Sequence, residues 1–326
     1  MSAGDGPIDI QPGAEGRKFV GRSPGQLAWA RLKRDRVAVA SGAALAFFLL
    51  LALAAPLVER VYGVGPYEQF QRLLDGNGMP LGYAGGVSGD HWFGLSPGLG
   101  RDIFIRLIYG LRTSLFIAFC AAIITASIGV TLGIVAGYVG GWVDAVLNWI
   151  TDVALAMPFL IFALAVVPTV ALRFYGPRDE VPTWFRVAVM IGIFAAFGWT
   201  SSARLVRGQV ISLREREFVD AARASGAGLG HMLFRQLLPN LWAPILVSFS
   251  LAVPAYITGE AALSFLGIGI QDPTPDFGVM IDDSIDYLQT DAAYVFFPGT
   301  TIFALVLAFN LFGDALRDAL DPKSSR

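Results

Sequence analysis

The chain has 326 residues, 55% of them hydrophobic and 15% charged, with a mean hydropathy of +0.58. Soluble domains carry about 25% charged residues, so the composition excludes a soluble globular domain and points to an integral membrane protein. The net charge of −2 argues against nucleic acid as a partner, and the single cysteine, Cys120, excludes an internal disulfide.

Residues 1–26 are rich in Gly, Pro and charge and read as a mobile tail, with 1–36 as a whole preceding the first membrane span. A bilayer core of roughly 30 Å needs about 20 apolar residues as helix. Six stretches meet that length or nearly so: 37–58, 115–139, 145–167, 187–205, 243–266 and 294–312. Asp152 and Pro158 fall within the third, and the fourth is short, so the ends of both are loosely defined. The intervals leave a long loop over 59–112, a core of five spans over 113–316 and a second tail over 317–326. The expected fold is an all-α integral membrane protein with six transmembrane helices. The first apolar run is read as a span, although Ala52-Leu53-Ala54 mimics a signal-peptide cleavage site. It is longer than the usual ~7–15 residues of such a signal and follows a long polar run.

Six spans place both termini on one side of the membrane, together with the segments near 140–144 and 204–242. That side holds 16 of the 24 Lys and Arg residues, while the opposite loop over 267–293 holds six aspartates and no basic residue. The bias toward basic residues marks the side of the termini as cytoplasmic.

The segment from Glu217 to Asn240 is the most informative part of the chain. It is charged and alanine-rich, yet it carries helix–break–helix punctuation instead of loop composition. Residues 217–224 favour helix, Gly226, Gly228 and Gly230 interrupt it, and 231–238 favour helix again up to Pro239. Small Ala221, Ala222 and Ala224 would let another surface approach the backbone closely. Such a pair suits docking of a soluble partner, or else an amphipathic helix lying on lipid.

No phosphate loop, and no Ser/His/Asp or Cys/His set, can be assembled from the sequence. The only lysines, Lys18, Lys33 and Lys323, follow Arg17, Leu32 and Pro322, so no glycine-rich phosphate loop ends in Gly-Lys. His91 and His231 fall on opposite sides of the expected membrane and cannot share a metal. The acidic outer loop with Asp272, Asp276, Asp282, Asp283, Asp286 and Asp291 lacks the regular ladder and glycine of a calcium loop and reads as a solvated face. The chain is therefore not expected to act as an enzyme.

Several motifs in order resemble a known family. Asp220-Ala221-Ala222, then Gly226, then Leu238-Pro239 is similar to the EAA loop of ABC importer inner-membrane permeases. The wider chain resembles the C-type permease subunit of dipeptide, oligopeptide and nickel importers. The stretches that carry this are Leu99-Gly100-Arg101-Asp102 with Arg106-Leu107-Ile108-Tyr109-Gly110, and Glu260-Ala261-Ala262-Leu263-Ser264-Phe265-Leu266-Gly267. Asp272-Pro273-Thr274-Pro275, Phe297-Pro298-Gly299, Ala308-Phe309-Asn310-Leu311-Phe312-Gly313-Asp314 and Leu316-Arg317-Asp318 complete the set. Three departures stand out, one being a first external loop, 59–112, longer than the family's. His91-Trp92-Phe93-Gly94-Leu95-Ser96 replaces a His-Pro-x-Gly-Thr-Asp pattern, and Asp220 stands where the family has Glu.

The resemblance implies a type I ABC importer permease in the bacterial cytoplasmic membrane. Its partners would be a second, B-type permease, two cytoplasmic ATPases that bind the ATP and Mg, and an extracytoplasmic binding protein. No cofactor is implied on this chain. Peptides are the implied cargo, with nickel or another small solute as the alternative and a stand-alone channel or secondary carrier as the other class. Carried over residue by residue, Glu217, Phe218, Asp220, Ala221, Ala222, Gly226, Leu238 and Pro239 form the ATPase-coupling loop. Glu260 and Ser264, inside the fifth span, either line a pathway or gate or bond a neighbouring helix. Pro158, Pro254 and Pro298 are read as helix-shaping, and Arg101 and Asp102 as a cap on the second span or a contact for the binding protein.

Overall fold

The computed structural model describes residues 24–321, so most of the expected first tail and residues 322–326 lie outside the described residues. Among the described residues the chain is helical, with two isolated β-bridges, Leu74 to Pro80 and Leu95 to Asp102, and no strand. Helix α1 (Pro24–Leu32) falls within the segment expected as tail. It is held to the end of the last helix, where Arg31 Nη1 donates to the carbonyls of Ala319 (3.3 Å) and Asp321 (2.9 Å). Those carbonyls lack intrahelical partners, which explains why an arginine settles there.

Helix α2 (Arg36–Leu53) is the first membrane span. It stops short of the expected residue 58 because Pro56 cannot donate to the helical ladder, and a separate helix α3 (Ala55–Tyr62) continues beyond it. The second span is longer than the sequence suggested: α4 (Ile103–Val139) has 37 residues, about 55 Å. It starts at Ile103, not near 115, because Asp102 caps it by accepting from Ile105 N at 3.0 Å. Arg106, inside the added first turns, is only 2% exposed and is bonded to Asp272 and to the carbonyls of Pro66 and Pro273. The long loop is therefore 63–102. The same capping logic starts α2 at Asp35, α11 (Phe277–Ile285) at Asp276 and α12 (Ala292–Leu320) at Asp291.

The most extensive helix pairing joins α4 to α7 (Thr183–Leu213). Gly129, Gly133 and Gly137 of α4 form a small-residue stripe, and a Cβ at each would come within 2.6, 2.6 and 2.8 Å of Trp199 O, Ala203 O and Val210 Cβ. Such stripes let helix backbones approach closely where no hydrophobic force drives association in lipid. The matching order of these contacts makes α4 and α7 parallel. The chain between them must then recross the full thickness.

That crossing is made by α5 (Gly141–Ala156) and α6 (Phe159–Phe174), which meet at a bend of 86°. The expected third span, 145–167, is thus one broken span instead of a straight helix. Pro158 lacks an N–H and forces Met157 out of helical geometry (φ −77°, ψ 128°). Helix α5 crosses α7 steeply. Its Asp144 and Asp152, about 12 Å apart along α5, pair with Arg207 (2.7 Å to Nη2) and Arg204 (2.7 Å), about 4.5 Å apart along α7. Helix α6 then runs back along α7, from Phe159 against Phe194 to Tyr175 against Phe185.

Among the described residues five helices, α2, α4, α7, α10 (Trp242–Phe265) and α12, are individually long and apolar enough to cross a membrane, and the broken pair taken as one span makes six. Helices α2, α4, α10 and α12 enclose the main core around Leu107, Leu111, Ile257, Leu305 and Phe309. At one end of the bundle the 63–102 loop is clasped down by Arg101 and Arg106 on Asp272, and by Tyr62 and His91 on Asp102, each at 2.8 Å. Burial pushes the Tyr62 hydroxyl well above its ordinary pKa, so it remains a donor to Asp102. At the opposite end lies the segment between α7 and α10.

Candidate functional site

Helix α8 (Glu217–Ala224) follows α7 after a short turn. Two faces divide it. Val219 is fully buried, and Phe218 and Ala222 pack beside it against Ile134, Val206, Val210, Met232 and Leu237. Glu217, Asp220, Ala221 and Ala224 are exposed, at the i, i+3, i+4, i+7 spacing of a single helical face. Of the expected contact residues, Phe218 and Ala222 therefore form the seat of the helix, while Glu217, Asp220 and Ala221 face outward. Val219, the deepest anchor, was not singled out from the sequence; its place beside Phe218 and three residues before Ala222 was the available signal.

The break after α8 is a Schellman motif. Gly226 N donates to Arg223 O at 2.9 Å and Ala227 N to Ala222 O at 3.0 Å, with Gly226 in the left-handed region at φ +80°. A Cβ at Gly226 would meet nothing within 4 Å, so backbone conformation and not space demands glycine there. Helix α9 (Leu229–His231) then opens a compact run of π-helical Met232–Leu237 and 3-10 Leu238–Asn240. Met232, Leu233 and Leu237 are buried beneath α8. Leu238 is half-buried and Pro239 exposed at the start of the turn into α10. Two long-helix ends brace the segment: Arg223 lies over the Tyr138 ring at 5.3 Å, and Arg214 Nη1 donates to Gly137 O at 3.2 Å. Acidic Glu217 and Asp220 sit in the first turn, where the helix dipole favours negative charge.

Glu260 and Ser264 lie elsewhere, in a closed polar cluster. Ser114 Oγ donates to Glu260 Oε2 at 2.7 Å and Ser264 Oγ to Glu260 Oε1 at 3.2 Å. Asp276 Oδ2 is 3.5 Å from the same Ser114 hydroxyl, while its Oδ1 accepts from Gly278 N at 2.8 Å. All four side chains are buried, so the cluster ties α4, α10 and α11 together. Glu260 thus bonds the neighbouring α4 through Ser114, while Ser264 bonds within α10 to Glu260 and accepts from Ile270 N at 3.0 Å. Ser114 and Asp276 were not marked as their partners from the sequence.

Comparison with known proteins agrees with this architecture. The binding-protein-dependent transport system inner membrane component matches residues 129–326, and the N-terminal TM domain of oligopeptide transport permease C matches residues 23–75. The chain is 39% identical over 306 residues to the dipeptide transport system permease protein of Alkalihalophilus pseudofirmus, covering 94% of this chain and 92% of that protein. It is 36% identical to the corresponding Bacillus subtilis protein over 92% of this chain and 86% of that one. With the glutathione transport system permease protein of Pectobacterium atrosepticum it shares 38% identity over 93% and 92% of the two chains. The chain belongs to the family of inner membrane components of binding-protein-dependent transport systems.

Proposed function

We propose that the chain is the C-type permease subunit of an ATP-driven importer of short peptides. It works with a second permease, two cytoplasmic ATPases that bind ATP and Mg, and an extracytoplasmic binding protein that delivers cargo. The end bearing α8 faces the cytoplasm, with both termini, and the loop 63–102 faces outward. The observation that carries this reading is the two-faced α8: a rigid seat on α4 and α7 below, and an exposed, alanine-bearing acidic face above. A helix so fixed transmits a push as rigid-body motion to the long helices it rests on. Peptide cargo is favoured by the dipeptide and glutathione transport named for its relatives, glutathione itself being a short peptide.

The test is uptake of a labelled dipeptide into proteoliposomes holding both permeases, with and without the ATPases, ATP and binding protein. The proposal expects accumulation only when all components are present. Uptake by the permeases alone would instead indicate a channel or secondary carrier.

A further inference from the structure

We infer that the protein holds an anionic phospholipid of the bilayer in a groove between α2, α10 and α12, with the headgroup at Lys33 and Arg34. The groove has a volume of about 540 Å³. Its near wall is a stripe of α2, Ala38, Gly42, Leu45 and Leu49, and its far wall includes Phe249 and Phe312. The interior is apolar apart from Ser250, and its mouth is bordered by Trp29, Leu32 and Lys33 at the α1–α2 junction.

Three features select the occupant. The first is length. Ala38 to Leu49 spans about 16 Å of helix, which matches one leaflet of a hydrocarbon core roughly 30 Å thick. A transmembrane helix from another protein would need the whole thickness, whereas one acyl chain needs half. The second is charge. Lys33 lines the mouth, Arg34 and Arg36 are exposed one and three residues further along the chain, and the one acid among them, Asp35, has its carboxylate engaged as the cap of α2, accepting from Val37 N at 2.7 Å. Basic residues beside a membrane helix attract anionic headgroups. The third is the interface marker. Trp29 is 61% exposed beside the groove, and Lys33 Nζ sits 5.0 Å from its ring centre, which places the ammonium at headgroup level.

The experiment uses the assembled transporter, equilibrated in vesicles of equal phosphatidylglycerol and phosphatidylcholine, extracted in mild detergent and weighed by native mass spectrometry. The wild type should retain phosphatidylglycerol in preference, by about fivefold for each engaged cation. The surface variant K33E/R34E should lose that preference while still retaining lipid. Ala46→Trp, which fills the groove, should lose the retained lipid, and Ala43→Trp, on the same helix but off the groove, should keep it. Equal retention of the two lipids by the wild type, or unchanged retention in A46W, would overturn the inference. So would disulfide capture of Ala46→Cys by the partner permease, because the groove would then be covered by protein.

Discussion

Gly226 and Glu260 show how single residues do different work at the two ends of the same helix system. At Gly226 the constraint is φ +80° with open space around the missing Cβ. Alanine there is expected to cost about 1 kcal/mol in backbone strain, and asparagine less, since it enters the left-handed region readily. Gly226→Asn should therefore keep most ATP-coupled uptake, Gly226→Ala should lose part of it, and Gly226→Val the most; a size-ordered series with asparagine worse than alanine would argue for crowding instead. Val219 is the complementary case. Val219→Ala removes two buried methyl groups, roughly 1.6 kcal/mol of packing, and should raise ATP consumed per peptide moved while both permeases still assemble. For Glu260, Gln keeps one oxygen as acceptor for one of the Ser114 and Ser264 hydroxyls and offers its amide N–H to the other, whereas Leu removes both partners at about 1–3 kcal/mol, leaving Ser114 only the 3.5 Å contact to Asp276. Glu260→Gln should match wild-type uptake and thermal stability in detergent, and Glu260→Leu should melt earlier. Loss of uptake in the glutamine variant at unchanged stability would mean that the charge itself takes part in transport.

At the level of elements, each apolar stretch read from the sequence overlaps a helix, or the broken helix pair, that is long and apolar enough to cross a membrane. What length could not report were interruptions and extensions decided by one residue. Pro158 splits the third span by 86°, and Asp102 starts α4 a dozen residues before its apolar run. Arg106 lies within that extension, and a charge reads as loop until its buried partners are known. The α4 glycine stripe was likewise present in the sequence but acquires meaning only against α7. It yields a paired expectation. Gly133→Ala places a Cβ 2.6 Å from Ala203 O and should destabilise the protein in a detergent thermal-shift assay. Gly192→Ala, on α7 with nothing within 4 Å, should be neutral or slightly stabilising. Equal effects would mean that the α4–α7 contact is looser than a 2.6 Å approach implies.

Across the whole molecule, the parallel pair α4 and α7 forms a shaft that reaches from the clasped 63–102 loop to the seat of α8. Arg101, Arg106 and Asp272 fasten one end, and Val219, Tyr138 and Arg214 fasten the other. The helix–break–helix punctuation of 217–240 was readable because glycine and alanine have strong local preferences. The division of α8 into seat and free face was not, because it depends on residues more than 80 positions away on α4. That division leads to a cross-linking experiment with single cysteines in the assembled transporter. A thiol at Ala221 or Ala224 should join efficiently to an ATPase subunit, with a yield that changes when nucleotide is added, while one at Ala222 should not. Capture of lipid alone from Ala221, or equal capture from Ala221 and Ala222, would contradict the docking of α8 on an ATPase.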